Sequence, residues 1–212
     1  MHFIWWVYLS HLVSYWSAAA AAALFIDSSQ WDWSCAKQVW SNHTVYTAPF
    51  VLLASLYWRH SYLGIGHGWW QLPACVLLTD ILFYYPHRAM HSRWLYHLHK
   101  QHHVWKKPMG VAALYAHPFE HVVVNVAPPF FAAVLLKCHP TVFVAWVAIA
   151  SANTVLAHAQ EGQHTGHHRH WNKNFGVGLM LCDRLHGTLI TSTSSSPYVP
   201  LRQASLRGGE AE

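Results

Sequence analysis

Charge is what this sequence has least of. Asp, Glu, Lys and Arg make up 10% of its 212 residues, against roughly 25% in an ordinary soluble domain. So few solvating groups exclude a disordered chain and argue against a soluble globule. Paired cysteines are also missing: Cys35, Cys75, Cys138 and Cys182 lie forty or more residues apart. With no CxxC there is no basis for a thiolate zinc knuckle or a disulfide scaffold, and the four read as small apolar fillers. The longest basic run is Lys106-Lys107, too short to track a phosphate backbone, so nucleic acid is not an expected partner. There is no HExxH for a zinc protease, no GxSxG for a serine hydrolase and no GxGxxG for a dinucleotide.

Apolar runs take the place of charge. From Phe3 to Ile26 no ionic residue occurs, and at about 1.5 Å per residue that stretch crosses a hydrocarbon core of roughly 30 Å. Its alanine-rich end would suit a signal peptidase. It has no basic n-region and is long for an h-region, so we read a retained membrane helix. Residues 27–42 are polar and turn-rich, with Trp31, Trp33 and Trp40 suited to an interfacial belt. Further runs follow at 47–63, ended by Gly64, Gly66 and Gly68, and at 69–85, which contains a single charge, Asp80. The run at 119–136 is interrupted by Pro128-Pro129, which should kink or divide a helix. A tight turn over 137–140 then leads to the run at 141–156.

The expected fold is therefore all-α, an integral membrane protein of about four or five membrane helices with a histidine-rich cap. Ten of the 13 basic residues fall in the two histidine-rich regions and the tail, which places both regions on the cytoplasmic face. We divide the chain into N-terminal membrane helices and their loop (1–68), a histidine-bearing unit (69–190) and a flexible tail (191–212).

Fourteen of the 20 histidines lie between His87 and His170. His87 and His91 form HxxxH; His99, His102 and His103 form HxxHH; His164, His167 and His168 form a second HxxHH. Residues three and four apart share a helix face, so each box should aim its imidazoles at one point. One metal takes four to six donors, so seven or more converging imidazoles imply two metals. Isolated histidines such as His2, His11, His43, His60, His67 and His139 read instead as interfacial or hydrogen-bonded residues. No cysteine lies near the boxes, which disfavours structural zinc and iron–sulfur sites. All-nitrogen iron at a membrane face suits dioxygen activation and attack on a lipid C–H bond.

The motifs resemble those of the fatty acid hydroxylase/sterol desaturase superfamily. Tyr84-Tyr85-Pro86-His87-Arg88-Ala89-Met90-His91 is similar to its aromatic-HRxxH box, and the segment from Leu95 to His103 to its LYxxxHKxHH box. The segment from Pro108 to Glu120 resembles the P-F-G-x-x-A-x-Y-A-H-P-x-E stretch of the 4-methylsterol monooxygenase branch. His164–His168, Asn174-Phe175-Gly176 and Asp183–Thr188 resemble its HxxHH…NFG…WDRxFGT ending, although Cys182 replaces Trp and His186 replaces Phe.

The resemblance implies that His87, His91, His99, His102, His103, His164, His167 and His168 are metal ligands, with His117 and His158 as further ones. Asn174 and Asp183 would support the last box, or serve as caps and turn formers. It makes 69–190 a catalytic unit holding two iron ions, with zinc the alternative occupant of a purified sample. The implied activity is O2-dependent hydroxylation of a sterol or related lipid, with 4-methylsterol oxidation in sterol biosynthesis favoured. Sterol desaturation, cholesterol-25-hydroxylase-like oxidation and fatty acyl hydroxylation are the alternatives, and a non-catalytic metal-binding membrane protein is the reading outside the class. The implied electron partners are a b-type haem carrier and its NAD(P)H reductase. The implied location is the endoplasmic reticulum of a eukaryotic cell, with the metal site facing the cytoplasm.

Overall fold

The computed structural model describes residues 2–26, 31–58 and 68–190, and within them every regular element is helical. The tail at 191–212, together with His60, Gly64, Gly66 and His67, lies outside the described residues. Helix α1 (His2–Phe25) is a single unbroken helix. Helix α2 (Trp33–Ser41) starts inside the stretch expected to be turn-rich, because Asp32 caps it: Oδ1 accepts from the amides of Ser34 (2.7 Å) and Cys35 (3.0 Å). The chain then widens into a π-turn at Asn42–Thr47 and continues as α3 (Ala48–Trp58).

Helix α4 (Gln71–Met90) carries the HxxxH pair near its C-terminal end. The next long helical run begins with a short α6 (Pro118–Glu120), passes through a second π-turn at His121–Val126 and becomes α7 (Ala127–Leu135). The run stays helical through Pro128-Pro129. The prolines fall in the first turn of α7, where the missing N–H groups cost least, and the π-turn takes up the change of register, Ala127 N–H reaching Val122 O. The expected tight turn is present: Lys137 has φ 49° and the Cys138 amide donates to Ala133 O at 2.9 Å. Helix α8 (Pro140–Ala159) follows, with Pro140 at its first position.

Helices α1 and α8 pack side by side through small residues, with Ala19, Ala22 and Ala159 among the buried set. Tyr15 ties this pair to the turn at Gly110–Ala112, its hydroxyl donating to Val111 O at 3.0 Å. A second core joins α1, α4, α7 and α8 through Val7, Cys75, Phe130, Phe143 and Trp146. All four cysteines are buried and free. Two helical runs, Pro118–Leu135 and Pro140–Ala159, are long and apolar enough to cross a membrane. Outward-facing Trp6, Leu9 and Val13 of α1, Leu77 and Ile81 of α4, and Phe131 and Leu135 of α7 add exposed apolar surface.

The remaining short elements gather where α4 and α8 bring His87 and His158. They are α5 (Tyr96–His99), a 3-10 turn at His102–Val104, α9 (Gln163–Arg169) and α10 (Leu181–Leu185). None is long enough to hold itself together. Asp80, the lone charge of its apolar run, supplies part of what α10 lacks. Its carboxylate is buried and accepts from the amides of Met180 (3.0 Å), Leu181 (2.9 Å) and Cys182 (3.3 Å).

Candidate metal centre

Nine of the ten histidines expected as ligands come together, in two groups. His87, His91, His99, His103 and His167 form one; His102, His158, His164 and His168 form the other. Within each group one ring nitrogen per residue lies within 4.8 Å of every other. The HxxHH boxes do not each serve one point, as helix spacing alone had indicated. His99 and His103 enter the first group and His102 the second; His164 and His168 enter the second and His167 the first. Neighbours in a helical turn diverge by about 100°, so one box straddles the gap between the two groups. His117 joins neither. Its Nδ1 accepts from the Phe119 amide at 3.2 Å and caps α6.

The ring orientations are fixed from behind. The Nδ1 atoms of His87, His158, His167 and His168 donate to the carbonyls of Phe175 (2.5 Å), Thr154 (2.8 Å), Lys173 (2.6 Å) and Trp105 (3.1 Å). A proton on Nδ1 leaves a bare lone pair on Nε2. His99 Nδ1 sits 2.8 Å from Glu120 Oε1, off the line of a well-aligned hydrogen bond but within ion-pair reach, both residues being fully buried. Glu120 ends the Pro108–Glu120 segment, yet neither it nor Asp80 was expected to have a role. The available signal was the same for both: a carboxylate within or bordering an apolar run, where isolated charge is costly.

Behind Phe175 stands another carboxylate. Asp183 accepts from the amides of Phe175 (2.8 Å) and Gly176 (2.7 Å) and from Thr188 Oγ1 (2.7 Å). Asn174, with φ 54°, donates from Nδ2 to the carbonyls of Gln163 and Ile190 at 3.1 Å, and accepts from the Ile190 amide at 2.7 Å. Both residues therefore act on the loop that presents carbonyls to the histidines.

In front, the nitrogens crowd. His99 Nε2 is 2.9 Å from Nε2 of both His91 and His103, and His167 Nε2 is 3.1 Å from His103 Nε2. His158 Nε2 lies 3.0 Å from His164 Nε2 and 3.3 Å from His102 Nε2. His168 Nε2 is buried without a partner. Bare lone pairs at these separations repel, and a cation between them converts the repulsion into ligation. With metal–imidazole bonds of about 2.1 Å, donors at right angles stand about 3.0 Å apart, which is the spacing found. The donor set fits metal ions. Burial first, then the mutual repulsion of neighbouring imidazoles, holds His102, His103, His164, His167 and His168 well below the usual 6.5. They are neutral at pH 7, the form that ligates.

Beside the groups lies a largely apolar cavity of about 340 Å³. His87, His102, His158, His164 and Glu120 line one end, and Val76, Phe83, Trp146 and Ile149 line much of the rest. Its volume is in the range of small-molecule sites, roughly 300–1,000 Å³.

The family model for fatty acid hydroxylase matches residues 72–188, more than half of the chain. Among curated relatives, human "Fatty acid hydroxylase domain-containing protein 2" is 35% identical over 127 residues, covering 56% of this chain and 38% of that protein. "Methylsterol monooxygenase 1" of Rattus norvegicus is 26% identical over 185 residues, covering 74% of this chain and 62% of its own. "Lathosterol oxidase" of Rattus norvegicus is 28% identical over 164 residues, covering 67% and 54%. The chain thus spans about two-fifths to three-fifths of the length of these relatives. No solved structure matches. The matched stretch runs from the start of α4 to the Thr188 that Asp183 holds, and so contains both histidine groups: the chain belongs to the fatty acid hydroxylase family.

Proposed function

We propose that the chain is a membrane-bound oxidoreductase that hydroxylates a sterol or related lipid, with 4-methylsterol oxidation favoured. The observation that carries this reading is the placement of two all-histidine groups at one end of a largely apolar cavity. Sterol-oxidising names among the relatives support the substrate class. His87, His91, His99, His103 and His167 would hold one iron ion, and His102, His158, His164 and His168 the other. Bound iron supplies the activation of dioxygen, the net reaction taking R–H, O2, two electrons and two protons to R–OH and water.

The chain's own part is preparation. Backbone carbonyls of Phe175, Thr154, Lys173 and Trp105 orient four of the imidazoles, so the donors need little rearrangement when metal arrives. Phe83, Trp146 and Ile149 exclude water from the space beside them. The apolar helices would anchor the cavity in the bilayer, where lipid substrate is delivered. Electrons would come one at a time from a b-type haem carrier and its reductase at the cytoplasmic face of the endoplasmic reticulum. Basic residues near His99–Lys107 offer charge to attract an acidic carrier.

The test is expression with a reductase system and a 4-methylsterol, together with metal quantitation. A more polar, oxygen-bearing sterol and about two irons per chain are expected, with iron reduced in His102→Ala. Conversion of a fatty acyl lipid alone overturns the sterol assignment, and unchanged iron in His102→Ala overturns the ligand assignment.

A further inference from the structure

The cavity is graded along its length. On α4 its lining residues Val76, Thr79, Phe83 and His87 recur at three- and four-residue intervals, so they form one stripe. Thr79 is eight residues from His87, roughly 12 Å along the axis. Asn125 is five residues beyond Glu120 on the facing run, within the π-turn. Trp146 also lines the cavity, its Nε1 donating to Pro129 O at 2.9 Å.

Apart from His102, His164 and Glu120 at the histidine end, two lining atoms have no partner among the described residues: Thr79 Oγ1 and Asn125 Nδ2, each buried from solvent. Neighbouring polar side chains are already engaged. Asp80 caps α10, Asn153 Nδ2 donates to Val177 O at 3.2 Å, and Thr154 Oγ1 donates to Ala150 O at 2.9 Å. A buried donor without a partner is costly, and these two face the cavity from opposite helical runs.

We propose that Thr79 and Asn125 form a hydrogen-bonding girdle for a hydroxyl group on the lipid skeleton, set between the histidine end and the apolar floor. The hydroxyl oxygen would accept from Asn125 Nδ2 and its proton would go to Thr79 Oγ1, satisfying both groups together. A plain hydrocarbon chain would leave them unpaired, so the girdle selects a hydroxylated skeleton over an alkyl chain. This deepens the sterol reading and rests on it.

The experiment is equilibrium binding to the metal-loaded full chain in detergent micelles, using a radiolabelled 3-hydroxysterol and the same skeleton with hydrogen in place of the hydroxyl. The wild-type protein is expected to prefer the hydroxysterol by about tenfold or more. Thr79→Val, which keeps the side-chain shape, and Asn125→Leu are each expected to remove most of that preference, with affinity for the deoxy compound equal to or above that of the wild type. Equal wild-type affinity for the two compounds overturns the girdle and leaves the sterol reading standing. So does a parallel loss of both affinities in the variants. Binding of neither compound overturns both readings. Iron content of the variants, expected at the wild-type level, separates a local effect from misfolding.

Discussion

A partner on the far ring nitrogen fixes the tautomer and aim of a ligating imidazole, and here the partners differ in kind. Four imidazoles use backbone carbonyls, whereas His99 Nδ1 faces the buried carboxyl of Glu120 at 2.8 Å. Where bound metal draws such a carboxyl into its ionised form, it raises the basicity of the imidazole beyond what a carbonyl can do. The consequence belongs to that residue: Glu120→Gln keeps the shape and an acceptor oxygen but removes the ionisable group. Metal affinity should fall by about 10- to 100-fold, the usual range for loss of such a partner. Competition against a chelator of known affinity reads this directly, and unchanged affinity would show that Glu120 does not act through His99. Asp183 works one step further back, holding the amides of Phe175 and Gly176 so that the Phe175 carbonyl meets His87. The histidine boxes were legible in the sequence because spacing marks them. Asp183 was reached only through the motif resemblance, and Glu120 and Asp80 were given no role, because a single carboxylate has no period and these two meet groups 21 and about 100 residues away.

At the scale of elements, the sequence described helices well and their joints less well. The runs at 119–136 and 141–156 are the helical runs Pro118–Leu135 and Pro140–Ala159 almost to the residue. The π-turns at Asn42–Thr47 and His121–Val126 left no such mark, since a hydrophobicity pattern cannot register one extra residue in a turn. Asp32 caps a helix within the stretch expected to be turn-rich, and polar composition hid that helix. The joint that binds the N-terminal helix to the histidine cap is the turn at Gly110–Ala112. A Cβ on Gly110 would stand 3.1 Å from Ala22 Cβ and Val155 Cγ1 and 3.3 Å from Ala159 Cβ. Two of these atoms sit directly on helix backbones and cannot swing aside. Gly110→Ala should therefore force α1 and α8 away from the turn and destabilise the protein by about 1–3 kcal/mol, the usual penalty for overpacking. Thermal melting in detergent measures it; a melting point equal to or above wild type would mean that the joint yields freely.

For the molecule as a whole, a cap of neutral, crowded imidazoles sets how stability responds to acid and to metal. His102, His103, His164, His167 and His168 are held well below 6.5 by burial and by one another, whereas in the unfolded chain they return to that value. Between the folded and unfolded values the unfolded chain binds more protons. The stability of the metal-free protein is therefore fully present above about pH 6.5 and is lost as pH falls below it, by about 1.4 kcal/mol per pH unit for each imidazole. Bound metal adds stability by mass action and must compete with the same protons. Two melting curves against pH, with and without chelator, should then be separated at pH 7.5, both decline below pH 6.5, and converge in acid as metal is released. A metal-free melting point that holds level or rises from pH 6.5 to 5 would mean that the imidazoles are already protonated when folded. The close nitrogen–nitrogen approaches of 2.9–3.3 Å would then have to be bridged by protons, and the centre would not be preorganised for metal.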